Sequence, residues 1–275
     1  MTPLALFSVI REIQTIHEIE KYFDSEGGSV LGVFDIDETL LIPSDAAFQK
    51  HNIKKYAEFI QHLKHPFPIH QQDLISNVLL LSCGSKLIED TSPFFIEILQ
   101  KKRIPLIALT AAMTRSFGPY SLPEMRQQEL KLHGIDFSSS FPELSKKIEF
   151  VHLQKCQDSV PVYYQGVLCS NGDHRRHETA TPKGKVLIEF LKIINHHPNK
   201  IVAVDDKLYN LEEMERSIQA YNSEIKFYGF HYKGAQNLPS IDLDEELVKA
   251  KWTELIQKSK LYLNPINSGC DLILD

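Results

Sequence analysis

The stretch Val33-Phe34-Asp35-Ile36-Asp37-Glu38-Thr39-Leu40-Leu41 (VFDIDETLL) decides how the rest of the chain is read. With Val30, Leu31 and Gly32 ahead of it, Val33 and Phe34 complete an apolar run that predicts a strand covered on both faces. Acids follow at once. Two carboxylates about 4 Å apart repel by roughly 4 kcal/mol at an effective dielectric near 20. A bound cation, or solvent at the strand's end, would relieve them. A turn or a helix cap is the plain alternative, since Asp is common in both.

The surrounding chain narrows the choice. Its 275 residues allow one large domain or a domain carrying an inserted module. A formal charge of −6 gives no reason to expect a nucleic-acid partner or an acidic membrane. Four cysteines, Cys83, Cys156, Cys169 and Cys270, are widely spaced without a C-x-x-C pair, which suits a reducing compartment rather than a disulfide framework. The apolar residues from Pro3 to Ile10 have no basic residue before them and no small-residue cleavage site after them, and Arg11 ends the run too early for a membrane span. A cytoplasmic protein is therefore expected, although export without a cleavable leader leaves no mark in a sequence. Ile10, Ile13, Ile16 and Ile19 predict a helix at this end.

Apolar strand-like runs alternate with helical patterns, the signature of a mostly parallel sheet with helices on its faces. The expected strands are Ser29 to Asp35, Ile104 to Thr110, Lys200 to Val204, and Ile225 to Phe230. Ser92 and Pro93 predict the start of a helix before the second strand. The first three strands end in polar residues: Asp35 and Asp37, Thr110, then Asp205 and Asp206. Ligands of open α/β sheets bind beyond the carboxyl ends of the strands, so these residues are candidates for one crevice. Two stretches break the alternation. Residues 43–89 read as an inserted helical cap, with Tyr56, Phe59, Ile60 and Leu63 and then Leu74, Val78, Leu79, Leu80 and Leu81. Residues 111–181 mix types: Ser121-Leu122-Pro123-Glu124 predicts a capping box for a helix ending at Gly134, and Pro161 to Cys169 a strand or hairpin. The division expected is a discontinuous core, 1–42 and 90–275, with the cap at 43–89.

Taken in order, four of these stretches resemble the motifs of the haloacid dehalogenase (HAD) superfamily. The D-x-D-x-T of Asp35, Asp37 and Thr39 resembles the first, and the strand ending in Thr110 the second. Thr181-Pro182-Lys183-Gly184-Lys185-Val186-Leu187 resembles the third, a lysine opening a helix. Val204-Asp205-Asp206-Lys207-Leu208-Tyr209-Asn210 resembles the fourth. The likeness runs from Val30 to about Phe230. It is nearest to a bacterial group of HAD-like proteins with a D-I-D-x-T-L first motif, and it brings no substrate.

The fold so implied is α/β, a doubly wound, mostly parallel, Rossmann-like sheet with an inserted cap. The implied activity is Mg²⁺-dependent hydrolysis of a small phosphomonoester through an aspartyl-phosphate, with Asp35 as nucleophile and Asp37 as acid and base. Thr110 and nearby backbone N–H groups would hold phosphate oxygens, and Lys183 would add positive charge. Mg²⁺ would sit among the Asp35 carboxylate, the Asp37 main-chain carbonyl and the Asp206 carboxylate, an oxygen-only site that suits it. Dehalogenases of the superfamily do not need the second acid, so Asp37 argues for phosphoryl chemistry. A phosphotransferase differs only in the acceptor. A HAD-fold binding or regulatory protein with negligible turnover is the rival of another class. Two departures bear on that rival. Asn210 stands where many members of the superfamily have an acid, where it could orient a metal-bound water. Asp205 fills a position often held by Gly or Ser, where it would act as a further acid or hold Lys183.

Other signals are weaker. His174, His177 and Glu178 form H-x-x-H-E, not H-E-x-x-H, and their neighbours read as a loop rather than a zinc site. Arg175 and Arg176 read first as solvated loop residues and second as contacts for an anionic part of a substrate. Lys50, His51, Lys54, Lys55, His62, Lys64 and His65 read as a solvated helix face. Cys169, in an apolar run, reads as buried. Oligomeric state is not encoded in any of these features.

Overall fold

Val30–Phe34, the strand that ends at Asp35, is buried along its whole length and lies inside a sheet with neighbours on both sides. The structure, a computed structural model, describes residues 8–263 apart from 25–28, 69–70, 73–74, 76–77, 80–81, 118–119 and 145–146. In chain order the strands are β1 (Ser8–Ile13), β2 (Val30–Phe34), β3 (Leu41–Pro43), β4 (Ser85–Leu87), β5 (Leu106–Thr110), β6 (Ser116–Phe117), β7 (Tyr120–Ser121), β8 (Ile148–Glu149), β9 (Val162–Tyr164), β10 (Val167–Cys169), β11 (Lys200–Asp205) and β12 (Lys226–Tyr232). The helices used below are α1 (Ala57–Lys64), α2 (Ser92–Lys101), α3 (Leu122–Leu132), α4 (Lys183–Ile193), α5 (Leu208–Tyr221) and α6 (Glu245–Leu263).

The protein is mixed α/β with a large, mostly parallel sheet. Its strand order is β1-β12-β11-β2-β5-β10-β9-β8. Pairing is parallel from β1 through to β10, and antiparallel at β10–β9 and β9–β8. Leu31 and Val33 join Ile107, Leu109, Ile201 and Ala203 in a buried cluster with Val186, Leu187 and Phe190 of α4 and Leu211, Met214 and Ile218 of α5. Phe34 faces the other way, stacked on Phe23 and Phe137, and Phe23 meets Phe95 of α2 edge-on. Both faces of the central strands are therefore covered, which is why they read as unbroken apolar runs. After β2 the chain moves outward through β5 to β10, then returns through α4 to β11 on the other side of β2. The strand order thus reverses at β2 and β11, the place where open α/β sheets form a crevice.

The chain divides into two compact units, Met1–Ile42 with Leu87–Asn237 and Pro43–Lys86 with Leu238–Asp275. The large sheet belongs to the first. In the second, Trp252 Nε1 of α6 donates to the Ala47 carbonyl at 2.9 Å, its ring meets Phe48 edge-on, and Tyr56 donates to the Leu243 carbonyl at 2.9 Å. The C-terminal segment therefore accompanies residues 43–86, whereas the division expected from the sequence left it with the core. The basic run is not one solvated face either. Lys54, Lys55, His62 and His65 are exposed, but His51 is buried. Of the predicted apolar positions there, Leu74, Leu80 and Leu81 lie outside the described residues.

Two further expectations give way to packing. Ser8–Ile13 is a strand, not a helix: β-branched Val9, Ile10 and Ile13 suit an edge position, and the segment pairs with β12 from Ser8 opposite Phe227 to Ile13 opposite Tyr232. Helical structure begins only at Ile16, as a 3₁₀ segment to Phe23 that buries Ile16 and Ile19. The capping box at Ser121 does not form, because Glu124 accepts the Tyr164 hydroxyl at 2.9 Å instead.

Two glycines carry necessary roles. Gln165 (φ 42°) and Gly166 (φ 89°) make the two-residue turn between β9 and β10, and a side chain at Gly166 would strike the Phe137 backbone. Gly184, second in α4, has no room either: a Cβ there would lie 2.8 Å from Met214 Cα and 2.8 Å from Ser217 Cβ on α5. Gly184→Ala is therefore expected to destabilise the fold by about 1–3 kcal/mol, the usual cost of overpacking, through separation of α4 from α5. An unchanged denaturant midpoint would show that the two helices tolerate a wider spacing.

Candidate functional site

Asp35 directly follows β2 and is buried, 5% exposed. Its backbone N–H donates to the Val204 carbonyl at 2.9 Å, which holds the end of β2 against the end of β11. The turn beyond it is tightly bonded. The Ile36 carbonyl accepts the N–H groups of Thr39, Leu40 and Leu41, and Glu38 is forced to φ 62°. A non-glycine residue there costs on the order of 1–2 kcal/mol, and such strain gathers at functional sites.

Lys183 opens α4 and points into the same place. Its Nζ lies 2.8 Å from Asp35 Oδ1 and 2.7 Å from Asp205 Oδ2, and all three side chains are almost wholly buried. Lys185, two residues on, is exposed. Pro182 is the N-cap of α4 and makes no side-chain capping bond, and the Thr181 hydroxyl before it caps nothing. The reason is Glu213 of α5, which accepts the Gly184 N–H at 2.8 Å and so satisfies the first turn from outside.

Asp205 ends β11 with both oxygens engaged. Oδ1 accepts the Lys207 N–H at 2.9 Å, and Asn210 Nδ2 lies 2.9 and 3.1 Å from Oδ1 and Oδ2. Asn210 is buried and fixes Asp205 through its Nδ2. Asp206 is half-buried, and its carboxylate forms with those of Asp35 and Asp205 a group whose oxygens lie within 4.8 Å of one another. Burial, followed by repulsion from Asp205, holds the Asp35 carboxyl well above the usual carboxylate range; Lys183 opposes this, and Asp206 and Asp37 add to it. For Lys183, burial favours the neutral amine, but Asp205 and Asp35 outweigh it and raise the pKa above the ordinary lysine value.

Asp37 is turned elsewhere. Arg126 Nη2 of α3 donates to its Oδ1 at 2.7 Å, and Thr110, at the tip of β5, donates to Oδ2 over a long 3.5 Å. Thr110 Oγ1 in turn accepts the Ala112 N–H at 3.1 Å. Arg126 is buried, 3% exposed, and also pairs with Glu129. Sequence reasoning missed this residue, although a signal existed. With Leu122 and Leu130, Arg126 falls at four-residue spacing on the buried stripe of α3, and a charge there needs a partner. Removing one partner of a desolvated charge pair leaves the others uncompensated. Arg126→Met is expected to lower stability by about 1.5–3 kcal/mol, the range for hydrogen bonds to charged groups. A melting temperature within a degree of wild type would contradict that account.

Five sequence-predicted residues thus converge on the carboxyl ends of β2, β5 and β11: Asp35, Asp37, Thr110, Lys183 and Asp206. The carboxylate cluster holds one acid beyond the Asp35 and Asp206 carboxylates of the expected cation set, namely Asp205. Both Asp205 oxygens are already bonded, to the Lys207 N–H, Asn210 and Lys183. The buried cluster of Asp35, Lys183 and Asp205, with Asp206 beside it, thus lies where the strand order of the mostly parallel sheet reverses. A family model described as "Protein of unknown function (DUF2608)" matches residues 12–264, and the chain belongs to that family. It is similar to an uncharacterized protein of Rickettsia prowazekii (strain Madrid E), 29% identical over 194 residues covering 70% of this chain and 61% of that protein. An uncharacterized protein of Rickettsia bellii (strain RML369-C) is 27% identical over 207 residues, 74% of this chain and 68% of that one. The chain thus spans under two thirds of the Rickettsia prowazekii protein. No solved structure matches it. Among the described residues, no helix is long and apolar enough to cross a membrane.

Proposed function

We propose that the chain is a HAD-type, Mg²⁺-dependent phosphatase that hydrolyses a phosphomonoester through an aspartyl-phosphate at Asp35. The observation that carries this reading is the buried Asp35–Lys183–Asp205 cluster at the β2/β11 reversal, with Asp206 beside it and Asp37 two residues beyond Asp35. In this mechanism an Asp35 oxygen attacks phosphorus in line as the bond to the ester oxygen breaks. Asp37, oriented by Arg126, protonates the departing oxygen. It then takes a proton from the water that attacks phosphorus, which releases phosphate and restores the Asp35 carboxylate. Lys183 keeps positive charge beside the nucleophile, and Thr110 with the backbone beyond β5 holds phosphate oxygens. Mg²⁺, held by Asp35, Asp206 and the Asp37 carbonyl, would neutralise charge on the phosphate so that a carboxylate can approach it. Residues 43–86 take the part of the cap, the module that selects the leaving group in the superfamily this chain resembles.

A phosphate-release screen over a broad metabolite panel with Mg²⁺ tests the reading. Asp206→Asn sharpens it: the variant is expected to fold normally and to need at least about tenfold more Mg²⁺ for half-maximal rate, about 1.4 kcal/mol of lost binding. An unchanged half-saturation would remove Asp206 from the ion's ligands.

A further inference from the structure

Beside the acid cluster lies a second charged assembly that the proposed chemistry does not use. Lys207 follows Asp206 directly and sits in the field of Asp206 and Asp35. Its Nζ reaches Asp173 Oδ2, 3.4 Å away on the loop after β10. The same Asp173 oxygen accepts the Tyr209 hydroxyl at 2.5 Å, and Asp173 Oδ1 accepts the Arg175 N–H at 3.0 Å. Burial works against the Asp173 carboxylate, yet Tyr209, the Arg175 N–H and Lys207 together hold its pKa below the usual range, so this acid is the fixed anchor of the group. The anchor fixes a cation. The Arg175 guanidinium lies over the Tyr209 ring, 4.5 Å from its centroid, and His174 meets that ring edge-on. Arg175 is exposed, and among the described residues no carboxylate pairs with it. An unpaired surface arginine would ordinarily sample many rotamers. One held over an aromatic ring has lost part of that freedom already.

We infer that Arg175, stacked on Tyr209 beside Lys207, is a specificity site for a second anionic group, carboxylate or phosphate, on the substrate. The inference rests on the phosphomonoester reading above and deepens it: the substrate is an acid or a bisphosphate, not a neutral alcohol phosphate. The reacting phosphate belongs at Asp35. The rest of the molecule extends past Lys207, and its far charge meets the Arg175 fork, where a planar bidentate pairing is available.

The test is calorimetric binding of three probes with Mg²⁺: glycerol phosphate, a phosphoglycerate and a hexose bisphosphate. For the wild type, at least one of the two probes with a second anionic group is expected to bind about tenfold or more tightly than glycerol phosphate, the size of one charge-assisted hydrogen bond. Whichever probe shows the preference tells carboxylate from phosphate. In Arg175→Gln the ratio is expected to fall near one, and Arg175→Lys, which keeps the charge without the fork, to give an intermediate ratio. Lys185→Ala, exposed on α4, is the control and keeps the wild-type ratio. Equal affinities for all three probes in the wild type, or a preference that survives in Arg175→Gln, would overturn the inference while leaving the phosphate site standing. Failure of all three probes to bind would overturn both readings.

Discussion

Asp35→Asn is expected to release no phosphate from any substrate that the wild-type chain turns over. An amide cannot form an acyl-phosphate, so the loss is one of mechanism rather than of efficiency. The substitution also removes one charge from a crowded cluster. Asp35 lies among Asp205, Asp206 and Asp37, and burial with that repulsion already drives its carboxyl toward the neutral form. A neutral, nearly isosteric side chain should therefore be tolerated by the fold, and the melting temperature should stay near the wild-type value. That combination, intact fold and absent turnover, separates a nucleophile from a structural acid. Residual hydrolysis above the background of other phosphatases in a purified, folded variant would assign attack to another group.

Lys183 should give the second large effect, and its neighbour the contrast. Lys183 lies 2.8 and 2.7 Å from two buried carboxylates, whereas Lys185 is about 200° further round a helix of 3.6 residues per turn and faces outward. Lys183→Ala is expected to cut turnover by orders of magnitude, and Lys185→Ala to change it less than about tenfold, or ~1.4 kcal/mol. The first variant also leaves Asp35 and Asp205 buried without their counter-charge, a loss on the order of 3–5 kcal/mol. Instability alone could then explain silence. The double variant Lys183→Met with Asp205→Asn removes one of those carboxylate charges, so it should recover much of the stability while remaining inactive. Recovery of turnover together with stability would make Lys183 a purely structural cation.

The central strands were legible because parallel strands covered on both faces are written as continuous apolar runs. Val30–Phe34, Leu106–Thr110, Lys200–Asp205 and Lys226–Tyr232 all lie within two residues of the expected bounds. Edges and long-range pairings were not legible. Ile10 and Ile13 fit a helical stripe as well as an edge strand, and only the vacancy beside β12 decides between them. The association of residues 238–263 with residues 43–86 depends on contacts such as Trp252 with Ala47, which no local pattern announces. The same limit applies at the site. Asp35, Asp37, Lys183 and Asp206 sit in short local patterns and could be named in advance. Arg126, Asn210 as a clamp on Asp205, and the Asp173–Tyr209–Arg175 group are joined across 30 to 90 residues of chain or turn on which atom faces which. Asp205 lay between these cases, with holding Lys183 among its foreseen roles.

The most direct test is to trap the intermediate. Wild-type protein is mixed with Mg²⁺ and an activated aryl phosphate, quenched, and reduced with borohydride, which converts an acyl-phosphate of aspartate to homoserine. Peptide mass spectrometry then reads each acid of the cluster. The account predicts homoserine at position 35 alone, and only when substrate and Mg²⁺ are both present. Phosphate release without homoserine at 35, or homoserine at Asp205 or Asp206 instead, would contradict it.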